Sequence, residues 1–202
     1  MPQFQVWLPR VLFESFLIVI SIVFALALDE WREDKDIQEL VNRSIDSFEM
    51  EIERNKSTIE YIAPIHAGLQ EILVRRRGEG GPQAVAEFRD LMAGFQPPQL
   101  FTSAWDTAVA TGALSRMDYD VVRALSLTYS TQNRYREIHT TGMNALLTNT
   151  GLSQQNFDNA IYSAERFMSD VTAAETELQV FYEQALQFIE ETREKRGVTR
   201  SD

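Results

Sequence analysis

The chain of 202 residues contains no cysteine. Disulfides, thiolate metal sites and a cysteine nucleophile are thereby excluded, whatever the compartment. Histidine is scarce too: His66 and His139 are the two. Neither belongs to a His-Glu-x-x-His or Glu-x-x-His pair, and Glu137-Ile-His139 has the wrong spacing for one helix face, so a di-iron carboxylate bundle is disfavoured. Positive charge is in deficit, with 19 Lys and Arg against 30 Asp and Glu and a net charge of −11. Nucleic acid, which selects basic surfaces, is not an expected partner. Nine glycines and six prolines are few and clustered, as in long helices with few breaks. Strand-like alternation of useful length is missing, and so is the internal repeat of a solenoid. The glycines at 78–81 are not followed by Lys-Ser/Thr, so they form no phosphate loop, and Ser, His and Asp do not occur at nucleophile-elbow spacing. The chain therefore reads as a non-enzyme, with no catalytic, cofactor-binding or metal-ligating residues.

What the sequence does have is one apolar run, residues 11–28, interrupted by Glu14, Ser15 and Ser21. As a helix its 18 residues cover about 27 Å, close to the roughly 30 Å hydrocarbon core of a bilayer. The run exceeds the apolar region of a cleaved signal peptide, and its exit, Ala25-Leu26-Ala27-Leu28-Asp29, is a poor cleavage site, so an uncleaved anchor is expected. Trp7 and Trp31 bracket it, about 36 Å apart along a helix, which suits an aromatic residue at each interface. Arg10 and the terminal amine precede the run. Asp29, Glu30, Glu33, Asp34 and Asp36 follow it, with Arg32 and Lys35 among them. The short, basic N-terminal flank favours N-inside, C-outside.

Beyond the run the pattern is helical. Ile37, Leu40/Val41, Ile45, Phe48, Ile52, Asn55, Ile59 and Ile62 recur at spacings of three and four, with Asp46, Glu49, Glu51, Glu53 and Arg54 on the opposite, wet face. Pro64 is expected to kink this helix, and the stripe resumes through Ile65, Leu69 and Leu73 to the cations Arg75–77 at its end. A short helix over 83–95 buries Val85, Phe88, Leu91 and Met92. Thr102 or Ser103 caps a second short one carrying Trp105, Val109 and Leu114. Asp118 caps a long helix to about 149, Thr150-Gly151 breaks it, and Ser153 opens the last, ended by Gly197. The stripe of the long helix includes Tyr129, Gln132, Tyr135 and His139; that of the last runs from Phe157 through Met168 and Leu178 to Ile189. Asn55 and Gln132, polar entries on apolar stripes, are candidates for a pair that fixes register. His139 reads as a satisfied core histidine, and Arg193, Lys195, Arg196 and Arg200 as a solvated basic tail.

The fold class is thus all-α: an N-terminal transmembrane helix continuous with an antiparallel bundle of three long and two short helices. The segments are a cytoplasmic N-terminus (1–10), the membrane helix (11–28), an extracytoplasmic bundle (29–196) and a polar tail (197–202). In a Gram-negative cell this places the bundle in the periplasm, anchored in the inner membrane. Glu14 is the residue that plain anchoring leaves unexplained, because a carboxylate in an apolar span is costly. It is a candidate partner of Arg10, a contact with another membrane helix, or an ion-coupling group. Ser21 and Ala25, at spacing four, form a small face that permits close helix contact.

The motif Glu14-x-x-Leu17-Ile18-Val19-x-x-Ile22-x-x-Ala25-Leu26-x-x-x-x-Trp31-x-Glu33 resembles that of a group of uncharacterised bacterial single-pass inner-membrane proteins, a domain of unknown function. Ala104-Trp105-Asp106 through Gly112-Ala113-Leu114 resembles their aromatic-to-glycine segment. Ser21 stands where that group usually has Gly. The resemblance implies an inner-membrane anchor with a helical extracytoplasmic domain and no known activity. The partners expected are the lipid bilayer and other membrane-protein subunits or a second copy, through Trp7, Arg10, Glu14, Ser21, Ala25 and Trp31. The function expected is that of an accessory or scaffolding subunit of an inner-membrane complex. The alternatives are a periplasmic ligand-sensing bundle and an ion-coupled component acting through Glu14.

Overall fold

Apolar side chains at helical period need an apolar partner, and here they find it in one another. The computed structural model describes residues 4–78, 81–93, 95, 97–148 and 156–196, and among them the chain is helical with no strand. The helices are α1 (Phe4–Arg75), α2 (Pro82–Ala93), α3 (Ser103–Thr111), α4 (Tyr119–Thr148) and α5 (Phe157–Arg196), with a 3₁₀ turn, Ala113–Arg116, before α4. Three long and two short helices are thus present as expected. The breaks and caps expected at Thr150, Gly151, Ser153 and Gly197, and the polar tail, lie outside the described residues. Two compact units divide the chain, Met1–Arg43 and Ser44–Asp202.

In the first unit every residue from 13 to 36 is exposed. Phe13, Phe16, Ile18, Val23 and Phe24 are each 59% exposed or more. Among the described residues, however, no helix is long and apolar enough to cross a membrane. The expected span begins at Val11, and the side chains described in α1 begin at Phe13; 18 residues counted from Phe13 run on into Asp29 and Glu30, adding two acids to Glu14. The transmembrane helix expected over 11–28 is therefore not supported by the described residues.

The second unit is a bundle whose directions follow from its bonded pairs. Glu51 and Asn55 of α1 meet Tyr129 and Gln132 of α4 in ascending order, so α1 and α4 run parallel. Lys56, His66 and Gln70 of α1 meet Glu183, Glu175 and Thr172 of α5 in descending order. Thr128 and Tyr135 of α4 likewise meet Phe181 and Glu175. The antiparallel bundle expected from the sequence holds for α5, which opposes both neighbours; the correction is that α4 runs alongside α1, the chain returning through α2, α3 and the segment at 97–102. The core is formed by Phe48, Ile52 and Ile59 of α1, Leu125 and Tyr135 of α4, and Met168, Leu178 and Ile189 of α5.

Capping is local and legible. Asp118 Oδ1 accepts the Asp120 backbone N–H at 3.0 Å, opening α4. Gly112 closes α3 at φ 72°, a left-handed conformation that a side chain rarely adopts. α1 runs through Pro64 as one helix, and the residue is exposed, so its ring and missing N–H fall on the wet side. Two expectations are corrected. Ile65 is 46% exposed, and His66 occupies the core position beside it. Val109 is also exposed, because α3 buries the small Ala104 and Ala108 instead.

Candidate functional site

Polar groups line the interior of the second unit from one end to the other. Glu49 and Glu51, expected on the wet face of α1, are buried. Arg193, expected in a solvated tail, is also buried, and its Nη2 donates to Asp46 Oδ1 and to Glu49 Oε2, both at 2.8 Å. Hydrogen bonding to Glu49, then to Asp46, holds the guanidinium pKa above its ordinary value against the cost of burial. The reason is geometric: Ile45, Phe48 and Ile52 already define the apolar stripe, and Glu49 sits at its margin, where α5 presents a cation.

Two residues on, Glu51 closes a layer. Its Oε1 accepts the Tyr129 hydroxyl at 2.7 Å, and its Oε2 accepts the Ser103 hydroxyl at 2.5 Å and the Ala104 backbone N–H at 3.0 Å. A carboxylate of α1 thus serves as the cap of α3, at the end where the helix dipole favours negative charge. Thr102, the residue that precedes α3, spends its hydroxyl on Asp106 instead. Burial and the Glu51 carboxylate together push the Tyr129 phenol pKa far up. Phe48 and Trp105 pack around that ring.

The Asn55–Gln132 pair read from the sequence forms the next layer, with Asn55 Nδ2 donating to Gln132 Oε1 at 3.2 Å. Its partners were not foreseeable. Asn55 takes both backbone groups of Phe101, accepting its N–H at 2.9 Å and donating to its carbonyl at 2.8 Å. Gln132 donates to the same carbonyl at 2.8 Å and accepts the Tyr182 hydroxyl at 2.7 Å. The side chains therefore pin the loop that returns the chain, and they leave no buried backbone group of Phe101 unpaired.

Both histidines enter the last layer. His66 Nδ1 lies 2.5 Å from Glu175 Oε1, which also accepts the Tyr135 hydroxyl at 2.8 Å. Burial, then Glu175, raises the Tyr135 phenol pKa far above its ordinary value. His139 donates from Nδ1 to the Tyr135 carbonyl at 3.0 Å and stacks on Phe95, centroids 5.6 Å apart and planes 6° from parallel. Burial lowers its pKa, so the ring is held neutral with its lone pair on Nε2. His139 is a core histidine as expected, bonded through Nδ1; its Nε2 and Glu175 Oε2 have no hydrogen-bond partner among the described residues. The two histidines lie 73 positions apart in sequence, and no spacing rule joins them. Among the described residues no group of three His, Asp or Glu could hold a metal ion.

The residues expected to contact membrane or partner lie elsewhere, in the first unit. Trp7 and Arg10 fall in α1, at positions whose side chains are outside the described set. Glu14, Ala25 and Trp31 are exposed, and Lys35 Nζ lies 4.2 Å from the centre of the Trp31 ring. Ser21 Oγ donates to the Leu17 carbonyl at 2.8 Å, so its hydroxyl is bonded within its own helix. Of the cations at 75–77, Arg75 ends α1, Arg76 pairs with Glu87, and Arg77 grips Glu165 with two nitrogens. These are structural ties between helices.

No family model, curated protein or solved structure matches the chain.

Proposed function

We propose that the chain is a single-pass, membrane-anchored helical interaction protein: an accessory or scaffolding subunit of a bacterial inner-membrane complex, with its bundle on the periplasmic side. One observation carries this reading. Residues 13–28 of α1 are apolar but for Glu14, Ser15 and Ser21, and every one of them is exposed. A helix apolar all round is found inside a large core or in lipid, and an exposed apolar patch of this extent marks an interaction surface. With Val11 and Leu12 ahead of it, the stretch has the length of the hydrocarbon core. The resemblance of its Glu-to-Trp motif to single-pass inner-membrane proteins supports the same reading. The second unit contributes an ordered, ion-paired bundle in which the buried carboxylates, tyrosines and amides serve to hold elements together.

The full chain, tagged at its native level, should pellet with inner membranes, resist alkaline carbonate, and after mild detergent extraction elute with other membrane subunits. Recovery in the soluble fraction would overturn the anchor. A membrane-bound protein that elutes alone as a monomer would overturn the accessory role and leave the anchor standing.

A further inference from the structure

The three long helices meet in one titratable cluster. α1 contributes His66, α4 contributes Tyr135 and His139, and α5 contributes Glu175, each 3% exposed or less. Glu175 Oε1 lies 2.5 Å from His66 Nδ1 and accepts the Tyr135 hydroxyl. His139 is closed off by rings. Phe95 stacks on it, Tyr135 and Phe167 meet it edge-on with centroids 4.2 and 6.0 Å away, and the His66 ring lies 6.0 Å away. Phe95 is itself buried, 4.9 Å from the His66 ring and 5.5 Å from Phe167. A proton taken up at His139 Nε2 would create a buried donor. The aromatic faces attract a cation but are poor hydrogen-bond acceptors. Burial is the largest influence on His139 and holds its pKa down. His66 acts in the same direction, and the Tyr135 carbonyl and Glu175 oppose. Arg136, on the same helix, is exposed. The protonated ring is therefore better served by water than by this enclosure. Of the enclosing rings, those of His66, Tyr135 and Phe167 stand on α1, α4 and α5, whereas Phe95 lies outside any helix. The chain on either side of it is tied independently: Arg76 of α1 pairs with Glu87 of α2, and Asn55 and Gln132 hold Phe101.

We propose that the Phe95 ring is an acid-released plug: when His139 takes up a proton, Phe95 leaves the cluster and admits water to His139 and Glu175, while α1, α4 and α5 stay packed. The release is local for two reasons. The chain's two histidines are both in this cluster, so the Asn55–Gln132 and Arg193–Glu49 contacts contain no group that ordinarily titrates near neutrality. Phe95 is also the one enclosing ring whose departure breaks no helix.

The test uses the full chain in mild detergent, with 4-fluorophenylalanine in place of Phe95 in one sample and ¹⁵N-labelled histidine in another. Between pH 7.5 and about 5 the fluorine resonance should move reversibly to a solvent-exposed position, the released fraction rising by up to about tenfold per pH unit, the slope for one proton. The Nε2 resonance of His139 should pass from lone-pair to protonated over the same range, with the far-UV circular dichroism constant. A fluorine resonance that stays in place over this range, or that moves only as the helical signal is lost, would overturn the proposal. So would a His139 that takes up its proton while ring 95 stays in place, the new N–H being met inside the cluster. In His139→Phe, which keeps a flat ring but no proton site, the fluorine resonance should hold its neutral-pH position; release at the same pH would assign the trigger elsewhere and overturn it too. The two readouts on the native cluster decide the matter even where that variant does not fold. They concern the second unit and are indifferent to which membrane complex the chain joins.

Discussion

The two units invert one another. Along residues 13–28 the large apolar side chains face outward and the polar ones are few. In the second unit the apolar side chains are enclosed, and a file of charged and polar groups is enclosed with them. The same amino acids thus meet opposite environments within a single helix, α1. The lesson is that hydrophobicity identifies what must be covered, whereas the buried carboxylates record what the neighbouring helices supply. Glu51 is tolerable because α3 offers two donors and Tyr129 a third. Nothing comparable among the described residues accounts for Phe24 at 70% exposure.

The sharpest way to break the contrast is to make the first unit resemble the surface of the second. Ile18→Arg together with Ile22→Arg places two charges where an apolar helix is expected in lipid, each costing about 2.5–3.5 kcal/mol at mid-bilayer. Carbonate-resistant membrane association should be lost, while the circular dichroism of the bundle is unchanged. If the double variant stays membrane-bound, the outward apolar face has another role.

The next largest effect lies in the interior. Arg193→Met removes the cation that pairs with Glu49 and Asp46. Glu49 then stays buried without the Arg193 guanidinium, and breaking a buried pair costs about 3–5 kcal/mol, reduced here because Asp46 is nearly half exposed. A fall of several degrees in the melting temperature is expected. Adding Glu49→Leu to Arg193→Met should restore part of it, because a carboxylate no longer has to be buried without its cation.

Gly142 gives a smaller effect. A Cβ at this position would overlap the Phe167 ring, so Gly142→Ala should lose about 1–2 kcal/mol by overpacking, net of the roughly 1 kcal/mol that alanine gains in helix propensity. Denaturant midpoints for Gly142→Ala with and without Phe167→Leu measure this: the second substitution should turn the loss into a gain.

The smallest effect is on pH dependence. His139 is depressed below its ordinary value of 6.5, chiefly by burial, with His66 lowering it further and Glu175 and its bond to Tyr135 opposing. The unfolded chain therefore takes up this proton before the folded one. Stability is fully present above pH 6.5 and is lost as the pH falls below it, with a limiting slope of about 1.4 kcal/mol per pH unit. Melting temperatures between pH 7.5 and about 5 should fall more steeply for the native chain than for His139→Phe. Parallel curves would assign the acid sensitivity to other groups.

How much of this was legible can be argued residue by residue. Asp118 acts over a few positions, where local hydrogen bonds decide the outcome, and its role could be read; Gly112 ends α3 at Thr111, short of the Leu114 that the expected helix carried. Asn55 and Gln132 were legible as a pair because each interrupts an apolar stripe. Their shared hold on Phe101 was not, since no pattern says which loop will pass between two helices. Glu49, Glu51 and Arg193 were misread for one reason: periodicity assigns a charged residue to solvent and has no knowledge of a partner 144 positions away. His66 and Gly142 were missed because their significance lies in Glu175 and Phe167.

The sequence by itself determined that the chain is helical, where most helices begin and end, and that residues 11–28 form the apolar run, because these follow from the period of hydrophobicity and from local backbone chemistry. Tertiary structure alone decided that α4 runs parallel to α1, that four charged residues belong in the core, and that both histidines share one cluster. Those outcomes depend on which side chains converge across distances that no local rule spans, and on the strong penalty for burying a charge or a donor that finds no partner there.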